Sequence, residues 1–434
     1  MDRKMRVLVI THAPWRNDTS VGNSYSNIFA DMDNHIEFAQ LYIRDGMPEN
    51  NLVHEYFYIS EKKLLKSIFN RYEVGEHFKL DNPMDTSPVS FSNTYNKIRS
   101  LRWNIFLIGR DIASSLGKWK SDELNRFLDD FKPDIVFGTL GFIPVVNQLM
   151  VYSAKRTGAV LIPYPWDDWF HINKNYISPI YYIRILIERH YIRKTVKNSS
   201  FLYTITEQMR DEYSSIFQKK CKVLRKGYKF ENHPIRKSLD LKEVKLVYAG
   251  NIGDKRWEIL SAIALSIAKI NKIRLKRFHL YVYTLSPVTN KMRRALDVAG
   301  ASSLIGAVSS KEIPAIMEDA DILVHVEPLD KIKLENCRLS FSTKIVDYFY
   351  QGKCILAVGG QNASMKYLED NDAALVIDNL DKIDVVLEKL ASNPNLVIEY
   401  SQKAWSCGVR NHNIRKIQGM ILSDFEHAIK YEEV

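Results

Sequence analysis

Long apolar runs are missing from this chain of 434 residues. No stretch reaches the roughly 18 uncharged apolar residues of a membrane-spanning helix, which excludes an integral helical membrane protein. Cysteine is scarce. Cys221, Cys337, Cys354 and Cys407 are scattered without metal-type spacing, which argues against a disulfide framework or a zinc site and fits a reducing compartment. There is no low-complexity tract and no internal repeat. The opening segment MDRKMRVLVITHAPW has an apolar run too short for a signal peptide and leads directly into a strand. The expected location is the cytoplasm, with peripheral attachment to the inner face of the membrane as an open option. A P-loop lysine motif is absent, and Gly250 and Gly253 fall short of the full dinucleotide fingerprint. No acidic cluster of metal-binding type is visible, so neither a metal nor a cofactor is expected.

What is present is a globular composition, 46% hydrophobic and 26% charged, in a chain long enough for two or three domains. The net charge is +10, and it is concentrated: residues 174–229 hold 13 Lys and Arg against 4 Asp and Glu. Within that window, residues 176–197 place Ile177, Ile180, Ile183, Ile187 and Tyr191 at helical spacings. Arg184, Arg189, Arg193, Lys194 and Lys197 accompany them. Two readings stay open: an amphipathic helix on an anionic membrane surface, or a core helix with a solvated basic face. No base-reading motif accompanies the charge, so nucleic acid is not an expected partner.

Strands and helices alternate along the N-terminal half. RVLVIT reads as a first strand, GNSYSNIFADM as a helix starting at Gly22, and IEFAQLYI as a second strand. Residues 48–119 read as irregular and aromatic-rich, with a long helix over 97–119. SDELNRFLDDF is a helix capped by Ser121, and KPDIVFGT, AVLIPYP and SSFLYTIT are strands. The polar stretch 228–243 lacks periodicity and reads as a linker. The pattern then restarts: VKLVYA is a strand followed by a glycine loop and a helix, and FHLYVYT, DILVHVEP, CILAV and AALVIDN are strands with helices between them. Such alternation implies parallel sheets covered by helices on both faces. The expected fold class is α/β: two doubly wound domains, 1–227 and 244–408, facing across a cleft, followed by a C-terminal helix over 409–434. A return of that helix to the first domain is an open option.

The stretch SFSTKIVDYFYQGKCILAVGG concentrates the local signals. Ser342 or Thr343 can cap a helix running from Lys344 to Gln351, and Gly352 suits the left-handed position just past its end. CILAV then reads as a buried parallel strand. Three loops follow strands in this half and can meet at one place: GNIGDKRW, with Lys255 and Arg256; GAVSSKEI, from Gly306; and the helix start at Lys344. Glycine-loop amides, a helix start and cations together suit a diphosphate leaving group. In the first half, PYPWDDWF offers Asp167 and Asp168 among aromatic residues whose faces suit sugar rings. The alternative is that one aspartate caps a helix and the aromatics are core. His12 and Thr11 follow the first strand and point to the same region.

In their order and spacing, LVYAGNIGDKRWEIL, IGAVSSKEIPAIMEDADILVHVEP and SFSTKIVDYFYQGKCILAVGG resemble the donor domain of family 4 glycosyltransferases of the GT-B fold, of the bacterial surface-polysaccharide type. ITEQMRDEYSSIF and VLRKGY resemble the end of that family's acceptor domain. The resemblance covers about 199–378 and, more loosely, 6–168. It implies retaining, metal-independent transfer of a sugar from a nucleoside-diphosphate sugar to a glycan or lipid-linked acceptor. It also implies that Lys255 binds the diphosphate, that Ser342 and Thr343 present amides to it, and that Lys344 adds charge. Asp347 would accept the ribose hydroxyls, Gly306 to Val308 would receive the base, and Gly22 and Asn23 would face the diphosphate from the other domain. Gly250, Asn251 and Arg256 belong to the donor loop. The chain departs from the family at Asn251, where arginine is common, and near Leu339, where a glutamate contacting the transferred sugar is missing. Glu327 and Glu335 are candidates to replace it. Two further readings stay open: a nucleotide-sugar epimerase of the same fold, and a catalytically silent protein that binds sugar nucleotides or polyanions.

Overall fold

The structure, a computed structural model, describes residues 3–67, 74–80, 117–232, 243–273 and 277–432. The helix expected over 97–119 lies outside these residues apart from 117–119, which are irregular, and so do residues 233–242 of the expected linker. The chain divides into two compact units, Met1–Arg225 with Lys416–Val434, and Lys226–Arg415.

In the first unit, strands β1 (Met5–Thr11), β2 (Ile36–Tyr42), β3 (Val53–Ile59), β4 (Gly75–Lys79), β5 (Ile135–Thr139) and β6 (Val160–Tyr164) form one sheet in the order β4-β3-β2-β1-β5-β6. All pairs are parallel except β3 with β4. The continuous apolar run of β1 is explained by burial on both faces: Val7, Leu8, Val9 and Ile10 have no exposed surface. Two short strands, β7 (Leu202–Thr204) and β8 (Cys221–Val223), pair beside it. The strand order reverses between β1 and β5, and ligands of such sheets collect outside the carboxyl ends of the strands at that point.

The second unit repeats the plan. Strands β9 (Glu243–Ala249), β10 (Arg277–Tyr283), β11 (Ser302–Gly306), β12 (Ile322–Glu327), β13 (Cys354–Gly359) and β14 (Leu375–Ile377) are all parallel, in the order β11-β10-β9-β12-β13-β14. Counted from β9, that is the order 3-2-1-4-5-6 of a doubly wound dinucleotide-binding sheet. Its core joins Leu246, Leu280, Val324 and Leu356 of the strands to Ile259, Ile263 and Ile267 of the helix Arg256–Ile273.

Several expectations need correction. The stretch 48–119 is not irregular throughout, because β3, the helix Glu61–Lys66 and β4 lie within it. The first helix runs Ser20–Ile28 with Thr19 as its cap, so Gly22 is inside the first turn rather than at its start. Tyr228 is not free linker: it forms a bridge with Asn413 and stacks on Tyr350 at 4.3 Å. The helices at the C-terminal end run Asn395–Asn411 and Ile414–Glu432. The latter is held in the first unit, where Asp424 accepts from Tyr203 (2.8 Å) and Lys222 and where Gln418 donates to Ala30 (2.6 Å).

Candidate functional site

A cavity of about 580 Å³ opens in the second unit at the carboxyl ends of β9, β10 and β11. Gly250, Asn251, Thr284, Leu285, Ser286, Val308, Ile313, Met317, Lys344 and Asp347 are among its lining residues. Sequence-expected residues of all three loops are therefore brought together here: Gly250 and Asn251 from the first, Val308 from the second, and Lys344 and Asp347 from the third.

Lys344 opens the seven-residue helix Lys344–Tyr350 and is half-buried on the cavity wall, with its ammonium crowded by protein. A methyl group placed on Gly250 would fall on Lys344 Nζ, so the glycine leaves the space the lysine occupies. The ammonium also lies over the Tyr248 ring, 5.7 Å from its centroid. Among the described residues it has no hydrogen-bond or ion-pair partner. Burial lowers its pKa below the ordinary value, and the charge of Arg256 lowers it further. The charges of Glu327 and Asp347 act the other way without cancelling the effect of burial, so the ammonium is held at a net cost in the empty cavity. An anion bound there would relieve it.

Asn251 shapes the loop. Its Oδ1 accepts from Gly253 N (2.7 Å) and Ser286 Oγ (2.9 Å), and its carbonyl accepts from Tyr248 Oη (2.6 Å). The left-handed backbone of this loop falls at Asp254 and Lys255 (φ 52° and 63°), not at either glycine. Asp347 Oδ1 accepts from Lys226 Nζ and Tyr228 Oη, both at 2.5 Å. Lys344 and Asp347, one turn apart on the helix, therefore do not pair with each other. Lys226 and Tyr228 stand more than a hundred residues away in sequence, and no local pattern marked them.

Other expected donor residues lie elsewhere. The Lys255 ammonium is exposed and pairs with Asp330 at 2.8 Å, so it does not line the cavity. Arg256 donates to the Val326 carbonyl (3.3 Å) and pairs with Glu327 (3.4 Å). Glu327 is buried, which alone would raise its pKa. His325 with Nε2 at 3.0 Å, Arg256 and Asn362 outweigh that and hold it below the ordinary carboxylate value. Neither Ser342 nor Thr343 caps the helix through its side chain, and the Ser342 amide already donates to Ser364 Oγ at 2.9 Å. Gly306, at φ 98°, needs to be glycine for its backbone, and its carbonyl accepts from Thr284 N. Leu339 is buried and lines no part of the cavity. Gly352 takes the left-handed conformation expected of it, at φ 55°.

The first unit has a smaller cavity, about 150 Å³, lined by His12, Val21, Thr139, Gly141, Phe142, Ile143, Val146, Trp166, Asp167 and Trp169. It sits at the carboxyl ends of β1, β5 and β6, where the strand order reverses. Trp169 packs on Phe142 at 4.5 Å, and Trp166 packs on Tyr164 at 4.4 Å. The two aspartates part company. Asp167 lines the cavity, whereas Asp168 Oδ1 accepts from the amides of Phe170 (3.3 Å) and His171 (3.2 Å) and from Tyr213 Oη (2.9 Å), as a structural cap does. Thr11 is likewise structural: it is buried and bonded to Gln40 and to the Ala13 carbonyl. Gly22 is pressed against the Arg16 carbonyl and its amide is capped by Thr19, and Asn23 is exposed.

The basic window forms the helix Pro179–Lys197, but with a different phase from the expected stripe. Its buried face is Ile185, Glu188, Ile192, Thr195 and Val196, while Ile183 and Leu186 are outward. Arg184 pairs with the buried Glu188 at 2.7 Å, and Arg189 and Arg193 lie over the Phe170 ring. Among the described residues no helix is long and apolar enough to cross a membrane.

No family model and no curated protein matches the chain. Solved structures do. Anabaena Alr3699/HepE, crystallised with UDP and glucose, is similar over 98% of this chain and 100% of its own, at 9% identity and a TM-score of 0.59. The alpha,alpha-trehalose 6-phosphate synthase of Burkholderia multivorans is similar over 99% of this chain and 98% of its own, at 8% identity and a TM-score of 0.60. A variant of S. aureus TarM, in complex with Fondaparinux, alpha-GlcNAc-glycerol and UDP, is similar over 69% of this chain and 58% of its own, at 16% identity and a TM-score of 0.50. At such identities the likeness is one of architecture. That architecture is the GT-B fold of glycosyltransferases, and this chain has it.

Proposed function

We propose that this chain is a glycosyltransferase that moves a sugar from a nucleoside-diphosphate sugar to a glycan or lipid-linked glycan acceptor. The observation that carries the reading is the Lys344 ammonium on the wall of the 580 Å³ cavity, unpartnered among the described residues, with the charge of Arg256 close by. A diphosphate is a ligand that would pair with the Lys344 ammonium and be drawn by the field of Arg256, which itself stays paired with Glu327. Negative charge builds on it as the sugar–phosphate C–O bond breaks and the electron pair passes to the phosphate oxygen, and fixed cations stabilise that state without reorganising. Because the protein's own cations do this work, transfer should proceed without a divalent metal. The apolar side chains Leu285, Val308, Ile313 and Met317 leave room for a base. Asp167 and His12 are the acceptor-side candidates, with Trp169 and Phe142 as faces for a sugar ring. Crystals of HepE with UDP and glucose, and of TarM with Fondaparinux and UDP, support a nucleotide sugar and a glycan as the two substrates.

A transfer assay tests this. Purified protein is incubated with UDP-, GDP- and ADP-sugars and a panel of glycan and polyprenyl-linked acceptors in EDTA, and products are read by mass spectrometry. Release of nucleoside diphosphate matched by a glycosylated product, with the anomeric configuration of the donor kept, is expected. Binding of a nucleotide sugar without turnover on any acceptor favours the silent binding protein, for which the departures at Asn251 and Leu339 speak. Peripheral attachment to anionic membranes belongs to the same reading. Its support is the exposure of Ile177 (95%), Ile183 (54%) and Leu186 (60%) beside the exposed Lys174, Arg193, Lys194 and Lys197. Sedimentation with phosphatidylglycerol vesicles at low salt, lost on Ile183→Glu with Leu186→Glu, is the expected result. A wild-type protein that stays in the supernatant rules the attachment out.

A further inference from the structure

Lys226 and Tyr228 are the two donors that meet on one oxygen of Asp347. Both side chains come from the short segment that begins the second unit, and both are fixed before they reach the carboxylate. The Lys226 carbonyl is bonded to His412 Nδ1 at 3.0 Å, the Tyr228 amide donates to the His412 carbonyl at 2.8 Å, and the Ile414 amide donates to the Tyr228 carbonyl at 3.0 Å. The Tyr228 ring is stacked on Tyr350. His412 itself is wholly buried, with its other ring nitrogen 3.0 Å from Tyr367 Oη. Burial, with Asp347 adding to it, raises the Tyr228 phenol well above its ordinary pKa, so it remains a donor at every working pH.

Both donors sit on Oδ1. For Oδ2 no partner is recorded among the described residues, and Asp347 lines the cavity. A carboxylate oxygen has two acceptor sites, so Oδ2 can take both hydroxyls of a vicinal diol. We infer that Lys226 and Tyr228 are positioning residues that hold Asp347 with Oδ2 turned to the cavity, and that they thereby set the preference of the site for a ribose diol over a deoxy sugar. This inference rests on the nucleotide-sugar reading above. A purely structural ion pair would behave differently. Removing a buried partner costs stability whatever the ligand, but only an oriented Oδ2 makes affinity depend on the 2′ and 3′ hydroxyls.

The test is calorimetric titration with UDP, GDP and ADP, each beside its 2′,3′-dideoxy counterpart, on wild type, Lys226→Met, Lys226→Arg and Tyr228→Phe. Wild type should prefer the ribose form of the nucleotide it binds by about ten-fold or more, as for a charge-assisted contact to a neutral hydroxyl pair. Lys226→Met and Tyr228→Phe should lose most of that preference by weakening the ribose form alone, and Lys226→Arg should keep it. Tyr228→Phe changes one atom and guards against a variant that fails to fold. Equal affinity of wild type for ribose and dideoxy forms, or equal weakening of both by the variants, overturns the inference while leaving the nucleotide reading intact. Failure of wild type to bind any of the three diphosphates overturns both.

Discussion

Replacing Lys344 by methionine should move affinity and stability in opposite directions. Methionine keeps the unbranched stem and removes the charge. In the ligand-free protein the crowded ammonium is unfavourable, because burial and Arg256 both act against it. Its loss should leave Tm unchanged or raise it. Affinity for a nucleoside diphosphate should fall by about 1.5–3 kcal/mol, roughly ten-fold to more than a hundred-fold, the range for losing a hydrogen bond to a charged group. The pH dependence follows from the sign of the shift. The folded pKa of Lys344 lies below the ordinary value of 10.5, so between the two values the unfolded chain binds more protons and wild-type stability rises with pH. The stability advantage of Lys344→Met should accordingly shrink as pH is raised towards 10.5. Differential scanning fluorimetry across pH, with calorimetry of binding, reads both effects. A variant that loses stability while binding nucleotide as tightly as wild type would show that the lysine is structural, and the reasoning would be refuted.

Other outcomes follow from single contacts. Gly250→Ala should displace the Lys344 ammonium, the far end of a flexible chain, and so weaken diphosphate binding about ten-fold with a stability change under about 1 kcal/mol; unchanged affinity counts against the cavity assignment. Asp168→Ala should cost about 1–3 kcal/mol in chemical denaturation, because two amides and the Tyr213 hydroxyl lose their acceptor. Asp167→Asn should cost less stability than Asp168→Ala and lower transfer activity; the reverse pattern would exchange the roles of the two aspartates. Glu327 has a folded pKa below 4.5, so its contribution is present above that value and is lost as pH falls through the folded one. Glu327→Gln should therefore flatten the acid limb of the stability curve, and an unaltered acid limb contradicts this.

Much of the scaffold was legible because the strands announce themselves. Runs such as VLVI and CILAV are apolar throughout, as strands of a sheet covered on both faces are. β3 is hard to read because VHEYFYI puts two polar residues and then three aromatics in a row, which is neither a continuous apolar run nor a clean alternation. In the donor half, Lys344 and Asp347 could be placed from local spacing and resemblance. Lys226 could not, since its partner lies 121 residues on. The pairing of Lys255 with Asp330, 75 residues later, is invisible locally for the same reason. The basic helix was misphased because a buried Glu188 looks like a surface residue until Arg184 is seen to pair with it. Local sequence carries helix caps and strand runs, and long-range charge pairing is invisible to it.

The most direct test of the account is a crystal structure of the protein with the nucleoside diphosphate it binds most tightly. The diphosphate is expected within hydrogen-bonding distance of Lys344 Nζ and beside the Gly250–Asn251 loop, with the ribose hydroxyls on Asp347 Oδ2. Nucleotide bound with its phosphates away from Lys344, or in the cavity lined by His12 and Asp167 instead, would contradict it.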